Sequence, residues 1–186
     1  MATYISILRG INVSGHRMIK MEAIRQLYVD MNCRQVQSYI QSGNIIFKHQ
    51  KVKPQELEKE IKKNIFKSFK LDVPVLVIEY KPLKQIIEGN PFIKDSAKNT
   101  AYLHITFLSS KPGNDVIEKL EKTKYPPNDF RVSDKAVYLY CPNGYSNCKL
   151  TNNFIENKLK VTVTTRNWKT AFELYSMAKK MQSLNE

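Results

Sequence analysis

The sequence contains little glycine, little cysteine and no long apolar run. Six glycines and eight prolines among 186 residues exclude a collagen-like chain and a Gly/Pro-rich linker protein. The three cysteines, Cys33, Cys141 and Cys148, form no disulfide framework or metal-ligand pattern, which is typical of a reducing compartment. The first residues do not resemble a signal peptide, and no apolar run approaches the about 18 residues of a membrane span. We therefore expect a cytoplasmic protein that does not bind membranes.

Acidic residues are also scarce relative to basic ones. Lys and Arg number 30 and Asp and Glu number 17, which gives a formal net charge of +13 at pH 7. A surplus of this size is typical of proteins that bind nucleic acid or anionic small molecules. Hydrophobic residues make up 42% of the chain and aromatic residues 10%, so a disordered chain is excluded and a self-sufficient core is expected.

Residue periodicity predicts the same order of elements twice. In the first half, alternating and helical apolar patterns follow one another in the order βαββαβ, with a hairpin turn at Ser42-Gly43. The second half repeats this order and adds a helix over residues 167–184. The predicted fold class is α+β: two ferredoxin-like (βαββαβ) halves in tandem plus a C-terminal helix. We place the halves at residues 1–90 and 100–186, joined by a polar linker over 91–99.

Three motifs resemble a known family. They are Leu8-Arg9-Gly10-Ile11-Asn12-Val13 with Gly15, Tyr39-Ile40-Gln41-Ser42-Gly43-Asn44-Ile45-Ile46-Phe47, and Thr165-Arg166-Asn167-Trp168-Lys169-Thr170. In this order and at this spacing they resemble the bacterial domain-of-unknown-function family 1697. The resemblance covers essentially the whole chain and implies two ferredoxin-like halves, but it implies no particular activity. Ser14 departs from the family's pattern, which often has a second glycine beside Gly15.

The three motifs also supply the polar residues of a candidate ligand site. Gly10 and Gly15 have the spacing of a phosphate-binding loop, but His16 and Arg17 stand where that loop has Lys and then Ser or Thr. A Mg²⁺-dependent NTPase is therefore excluded, whereas anion binding by the loop's N–H groups stays open. The candidate anion- or ligand-binding residues are Arg9, Asn12, Lys20, Ser42, Asn44, Arg166, Asn167 and Lys169.

A structural interpretation accounts for part of this set. Ser42-Gly43-Asn44 suits a hairpin turn, because Gly and Asn tolerate positive φ. Asn167 suits the N-cap of the last helix. Arg166 would be a cation at the start of that helix, where the helix dipole disfavours it, so we expect an anion or a buried carboxylate beside it.

Tyrosines on two predicted strands suggest a second kind of site. If the strands over 101–108 and 136–141 are neighbours, one sheet face carries the nucleic-acid stacking candidates Tyr102, His104, Tyr138 and Tyr140. RNA-recognition modules of this shape stack bases on such a face. The alternative is that this face packs on the first half of the chain, with the tyrosine hydroxyls satisfied there.

These features leave three hypotheses for the function. The first, which we favour, is a basic, non-catalytic nucleic-acid-binding module. The second is an enzyme or binder that acts on a phosphorylated or otherwise anionic small molecule at the motif residues. The third is a structural or interaction protein without a ligand. Paired carboxylates, zinc signatures and cysteine clusters are missing from the sequence, so it indicates no catalytic residue, metal site or cofactor and leaves the oligomeric state open.

Overall fold

Two four-stranded antiparallel sheets organise the chain. The computed structural model describes residues 1–13, 15 and 17–183, so Ser14 and His16 of the first loop lie outside the described residues. By internal contacts, one compact unit comprises Met1–Lys84 and the chain from Leu174 onward, and the other comprises Gln85–Glu173. The sequence alone placed this division at the polar stretch 91–99.

The first unit has the predicted βαββαβ order. Its elements are β1 (Ala2–Leu8), α1 (Met21–Asp30), β2 (Arg34–Tyr39), β3 (Asn44–His49), α2 (Pro54–Phe69) and β4 (Val75–Glu79). All neighbouring strands are antiparallel, and their order in the sheet is β2-β3-β1-β4. This arrangement confirms a ferredoxin-like half.

The two faces of this sheet carry different residues, because side chains alternate along each strand. Helices α1 and α2 pack on one face, where Tyr28 of α1 and Leu57 of α2 belong to the same core as Phe47 of β3. The Tyr28 hydroxyl lies 2.7 Å from Ser6 Oγ, which satisfies both buried groups. The opposite face of the sheet carries Thr3, Ile5, Ile7, Ile46 and Lys48.

The second unit repeats this topology. Its elements are β5 (Leu103–Leu108), α4 (Asn114–Glu121), β6 (Asp129–Val132), β7 (Ala136–Tyr140), α5 (Asn152–Leu159) and β8 (Val163–Asn167), and the sheet order is β6-β7-β5-β8. A core that includes Leu120, Val137 and Ile155 lies between its helices and its sheet. The remaining helices are α3 (Tyr80–Glu88) and α6 (Trp168–Ser183), and the division between the units falls inside both.

The start of the last helix differs from the prediction. Arg166 and Asn167 belong to β8, because they pair with Ile105 and His104 of β5. The Asn167 side chain nevertheless accepts a hydrogen bond from the Thr170 amide at 2.8 Å. Asn167 thus caps the first turn of α6, as the sequence predicted, while Arg166 lies in a strand rather than at a helix start.

The described residues contain neither a cluster of metal ligands nor a helix that could span a membrane. Cys33, Cys141 and Cys148 are buried, free thiols. Among the described residues, no three His, Cys, Asp or Glu side chains are grouped as metal ligands are. Within the same residues, every helix is too short or too polar to cross a bilayer.

Candidate anion-binding site

The Asn12 side chain connects two loops of the first unit. Asn12 has φ 53°, and its Nδ2 donates to the carbonyls of Ile19 at 2.9 Å and Gln41 at 2.8 Å. Its Oδ1 accepts from the Ile19 amide at 2.8 Å. One amide therefore fixes the loop after β1 against the β2–β3 turn. Both Nδ2 donors are engaged in this way, so the position of Asn12 is explained by loop architecture.

Ser42, Gly43 and Asn44 form the turn between β2 and β3. Gly43 has φ +73°, and a Cβ atom there would lie 2.7 Å from the Ile11 side chain and 2.8 Å from Leu8 Cβ. Asn44 is buried, and its Nδ2 donates to Ser42 Oγ at 3.0 Å. The turn interpretation thus accounts for the residue types at all three positions.

The motif cations are divided between the two units. Arg9 and Lys20 flank the first loop, and Lys20 precedes α1 without capping it through its side chain. Arg166 donates to the Thr165 carbonyl at 2.9 Å and lies 3.4 Å from Thr164 Oγ1, and burial lowers the pKa of Arg166 to about 10. Lys169 is exposed in the first turn of α6. Convergence of these residues on one ligand stays a prediction.

The register of the second sheet contradicts the predicted tyrosine face. Residues directly opposite in an antiparallel pair share a face. Tyr138 lies opposite Ile105 and Tyr140 opposite Leu103, so both tyrosines share the face of these apolar residues. His104 lies on the other face, and Tyr102 precedes β5 in a 3₁₀ turn. The prediction that the four residues line one face was wrong, because periodicity within each strand does not determine how two strands are aligned.

The rings of these candidate residues are engaged by neighbours. Tyr138 is buried, its hydroxyl donates to the Ile86 carbonyl at 3.0 Å, and burial raises its pKa. Lys98 Nζ lies 4.6 Å from the Tyr140 ring centroid. His104 stacks on Tyr145 with 4.9 Å between ring centroids, and burial lowers the pKa of His104. These contacts leave no row of open rings for stacking bases among the described residues.

Sequence reasoning missed Lys48. This residue is only 2% exposed, and its Nζ has no hydrogen-bond partner among the residues that the structure describes. Lys48 lies directly between Arg34 of β2 and Thr3 of β1, on the same sheet face. The Thr3 hydroxyl is likewise buried and unpartnered within the described chain. A buried charge is costly without a counter-charge, so this lysine needs an explanation.

Lys48 lines a cavity of about 500 Å³ together with Met1, Arg34, Gln35 and Gln182, which we call the Lys48 pocket. The register of β2 shifts between Arg34 and Gln37, and Gln35 has φ 51°. Such bulges re-aim side chains next to a strand edge. The Arg34 side chain has no hydrogen bond or ion pair with any described residue. The Lys48 pocket therefore has two cations and no acidic residue in its lining.

A second cavity of about 500 Å³ adjoins the Lys48 pocket, since both are lined by Met1 and Arg34. We call this cavity the Asn32 pocket. Its other lining residues are Val29, Asn32, Cys33, His49 and Gln50. Burial, helped by the nearby Glu60 carboxylate, raises the pKa of the Cys33 thiol to about 12. Cys33 therefore stays protonated at neutral pH and is a poor nucleophile, which favours binding over covalent catalysis here.

A larger cavity, of about 640 Å³, lies in the second unit between residues 121 and 131. Its lining includes Glu121 and Asp129, and Asp129 is paired with Arg131 at 2.6 Å. Lys124 and Arg131 also belong to this lining, so its two acidic and two basic side chains balance, and the absence of a surplus positive charge among them disfavours an anion. The Lys48 pocket is smaller, but its lining is positively charged, as expected for an anion-binding site in a chain with a net charge of +13.

Comparison with known proteins agrees with this fold. A family described as "Protein of unknown function (DUF1697)" matches residues 1–138. The chain belongs to the DUF1697 family. This match confirms the resemblance that the first two motifs carry. The matched range also includes Arg34 and Lys48. The third motif, at residues 165–170, lies beyond the matched range.

One solved structure similar to this DUF1697 protein is that of the conserved bacterial protein SP0830 from Streptococcus pneumoniae. The two share 21% sequence identity over 95% of this chain and 98% of that chain, with a TM-score of 0.72. At this identity the likeness concerns the fold alone. No curated protein matches the chain.

Proposed function

We propose that this DUF1697 protein binds an anionic small molecule in the Lys48 pocket. The observation that carries the proposal is the buried amine of Lys48, which lies at the wall of a cavity and has no hydrogen-bond partner among the described residues. A lysine in this position lowers the stability of the ligand-free protein. An anion would supply the missing counter-charge and hydrogen-bond acceptors.

Arg34 supports the proposal from the next strand. It is exposed at the edge of the sheet, opposite the buried Lys48. The planar guanidinium of an arginine matches a carboxylate or a phosphate with two parallel hydrogen bonds, while a lysine acts as a point charge. One cation inside the cavity and one at its rim suit an anion that enters from solvent.

The test is a thermal unfolding series with inorganic phosphate, sulfate, acetate and citrate at constant ionic strength. An anion at 100 times its Kd adds about 2.7 kcal/mol to the free energy of unfolding, so the Tm should rise saturably by roughly 5 to 10 °C. We expect Lys48→Met to lose this rise. Lys59→Met, which removes an exposed lysine of α2, is the matched control and should keep it.

Two results would overturn the proposal. One is a Lys48→Met protein that responds to the anions as the wild type does. The other is a wild type in which none of the four anions gives a saturable rise in Tm.

Nucleic-acid binding, which the sequence favoured, has support from the +13 charge but lacks its stacking face. Labelled single-stranded RNA should therefore bind weakly and with a steep dependence on salt. Fluorescence anisotropy should give the same affinity for the wild type and for the Tyr102→Ala/Tyr140→Ala variant. A large loss of affinity in that variant would restore the nucleic-acid hypothesis.

A further inference from the structure

The charges that line the Lys48 pocket and the Asn32 pocket narrow the ligand class. Arg34 and Lys48 are the arginine and lysine side chains in the combined lining, and no Asp or Glu belongs to it in the part of the chain that is described. A carboxylate would compensate one of these two cations. A phosphate monoester carries a charge of about −1.5 to −2 at pH 7 and three terminal acceptor oxygens, which balances both.

Hydrogen-bond donors around Lys48 also match a phosphate group. The lysine amine has three donors and the Arg34 guanidinium has five, and the described residues satisfy none of them. The unpartnered hydroxyl of Thr3 adds one more donor from the neighbouring strand. This excess of donors over acceptors fits an acceptor-rich group of tetrahedral shape.

The Asn32 pocket provides space for the organic part of the ligand. It shares Arg34 with the Lys48 pocket, so a group attached to a phosphate at Lys48 can extend past Arg34. Each cavity lies within the roughly 300 to 1,000 Å³ of small-molecule sites. Asn32, His49 and Gln50 offer amide and imidazole groups, which both donate and accept hydrogen bonds as sugar hydroxyls do.

Neither pocket offers a ring for stacking a nucleobase. Within the described residues, no Phe, Tyr or Trp lines the Lys48 pocket or the Asn32 pocket. Base recognition in proteins depends strongly on such rings. A nucleotide is therefore a poor match for this pair of cavities, and a polyhydroxylated molecule is a better one.

We infer that the ligand is a sugar phosphate, with its phosphate at Lys48 and Arg34 and its hydroxyls in the Asn32 pocket. The inference rests on the proposed function and specifies the ligand class for the same site. It assigns Lys48 to the phosphate and Gln50 to the sugar, and these two roles can be separated by experiment.

The experiment is isothermal titration calorimetry of the full chain with five probes: glucose 6-phosphate, glucuronate, inorganic phosphate, glucose and AMP. Glucuronate carries a carboxylate on a similar sugar and is the matched control for the phosphate. We expect glucose 6-phosphate to bind more tightly than inorganic phosphate and than glucuronate. AMP should bind no more tightly than inorganic phosphate, and glucose should show no measurable binding.

Two variants separate the roles. Lys48→Met should weaken glucose 6-phosphate and inorganic phosphate alike, by about 10- to 100-fold, the range for hydrogen bonds to charged groups. Gln50→Ala should weaken glucose 6-phosphate by about 2- to 10-fold, the range for a neutral hydrogen bond, and leave inorganic phosphate unchanged. Lys59→Met should change neither affinity.

The outcomes distinguish the two proposals. Glucuronate that binds as tightly as glucose 6-phosphate, with both dependent on Lys48, would overturn the sugar phosphate and retain the anion site. AMP that binds more tightly than glucose 6-phosphate would do the same. A Gln50→Ala protein that loses inorganic phosphate would refute the assignment of the Asn32 pocket. If no probe binds in a Lys48-dependent way, the anion site itself is refuted.

Discussion

The two sheets can be compared at one equivalent position, on the face away from the core helices. There, three residues on neighbouring strands are paired directly with one another and form a row across the sheet. In the first unit the row is Arg34, Lys48 and Thr3, on β2, β3 and β1. In the second unit it is Asp129, Tyr140 and Leu103, on β6, β7 and β5. The two units therefore share a topology but differ in charge at this position: the first row has two cations, and the second has one acidic residue and no cation.

The second row is satisfied by its own chain. Asp129 accepts from Lys98 at 3.1 Å and from Arg131 at 2.6 Å, and Lys98 also lies over the Tyr140 ring. The first row contains two cations and no counter-charge among the described residues. The same fold, repeated within one chain, therefore satisfies its charged side chains internally in one unit and leaves two cations without a counter-charge from the described residues in the other.

The largest expected effect comes from Gly43→Ala, which alters the turn that sets the pairing of β2 with β3. The β2–β3 turn aligns Arg34 with Lys48, and a Cβ atom at Gly43 would combine backbone strain at φ +73° with contacts under 3.0 Å. We expect a loss of about 3 kcal/mol in the free energy of unfolding. Gly144→Ala in the second unit meets open space, but φ 84° with ψ 150° lies in a region essentially restricted to glycine, so about 2 kcal/mol is expected from backbone strain alone. Urea denaturation measures both, and equal losses would contradict the steric argument.

A smaller effect is expected from Lys98→Met, which removes a cation from the satisfied row. The Lys98 side chain is only 16% exposed, and its loss leaves Asp129 with one partner fewer, so a cost of about 1 to 2 kcal/mol is expected in urea denaturation at pH 7. Burial alone would raise the pKa of Asp129, but its hydrogen bonds to Lys98 and Arg131 outweigh burial and lower it.

This pKa gives the destabilisation by Lys98→Met a pH dependence. Because the pKa of Asp129 is lower in the folded than in the unfolded state, its contribution is complete above the unfolded value of about 3.9. The contribution is lost as the pH falls through the folded pKa. The difference in unfolding free energy between wild type and Lys98→Met should therefore shrink as the pH falls below about 4. A difference that grows on acidification would exclude this ion pair as its cause.

The smallest change in stability is expected from Lys48→Met in the absence of an added anion. Its sign should be opposite to that of Lys98→Met, so it tests directly whether the two rows differ. Lys98→Met should destabilise the second unit, whereas Lys48→Met should raise the free energy of unfolding by about 1 kcal/mol. It removes a buried charge that has no partner among the described residues. The measurement is urea denaturation in an anion-poor buffer, beside Lys98→Met. A loss of stability in both variants would mean that Lys48 is satisfied within the folded chain.

The sequence predicted well what local patterns determine. The order of elements follows from periodicity, the turn predicted at Ser42-Gly43 joins β2 to β3, and Asn167 caps α6 as its residue type suggests. The alignment of Tyr138 with Ile105 was not predictable, because alternation along a strand is unchanged when its partner shifts by one residue.

Lys48 shows a second limit of sequence reasoning. It opens a lysine-rich stretch and resembles a solvated residue. In β3, however, it directly follows Ile45, Ile46 and Phe47, which are apolar without alternation. That run is typical of a strand buried on both faces, and it was the available signal. Burial of the lysine itself depends on distant chain, including Gln182, which no local pattern contains.

The position of Gln182 has a consequence for synthesis of the protein. The strands that carry Arg34 and Lys48 leave the ribosome early, but the part of α6 that belongs to the first unit and lines the Lys48 pocket is made more than a hundred residues later. The anion that we propose would therefore find no complete site before α6 has been translated. Under this proposal the anion would stabilise only chains whose α6 has been translated, and chains truncated before α6 would remain open to proteolysis.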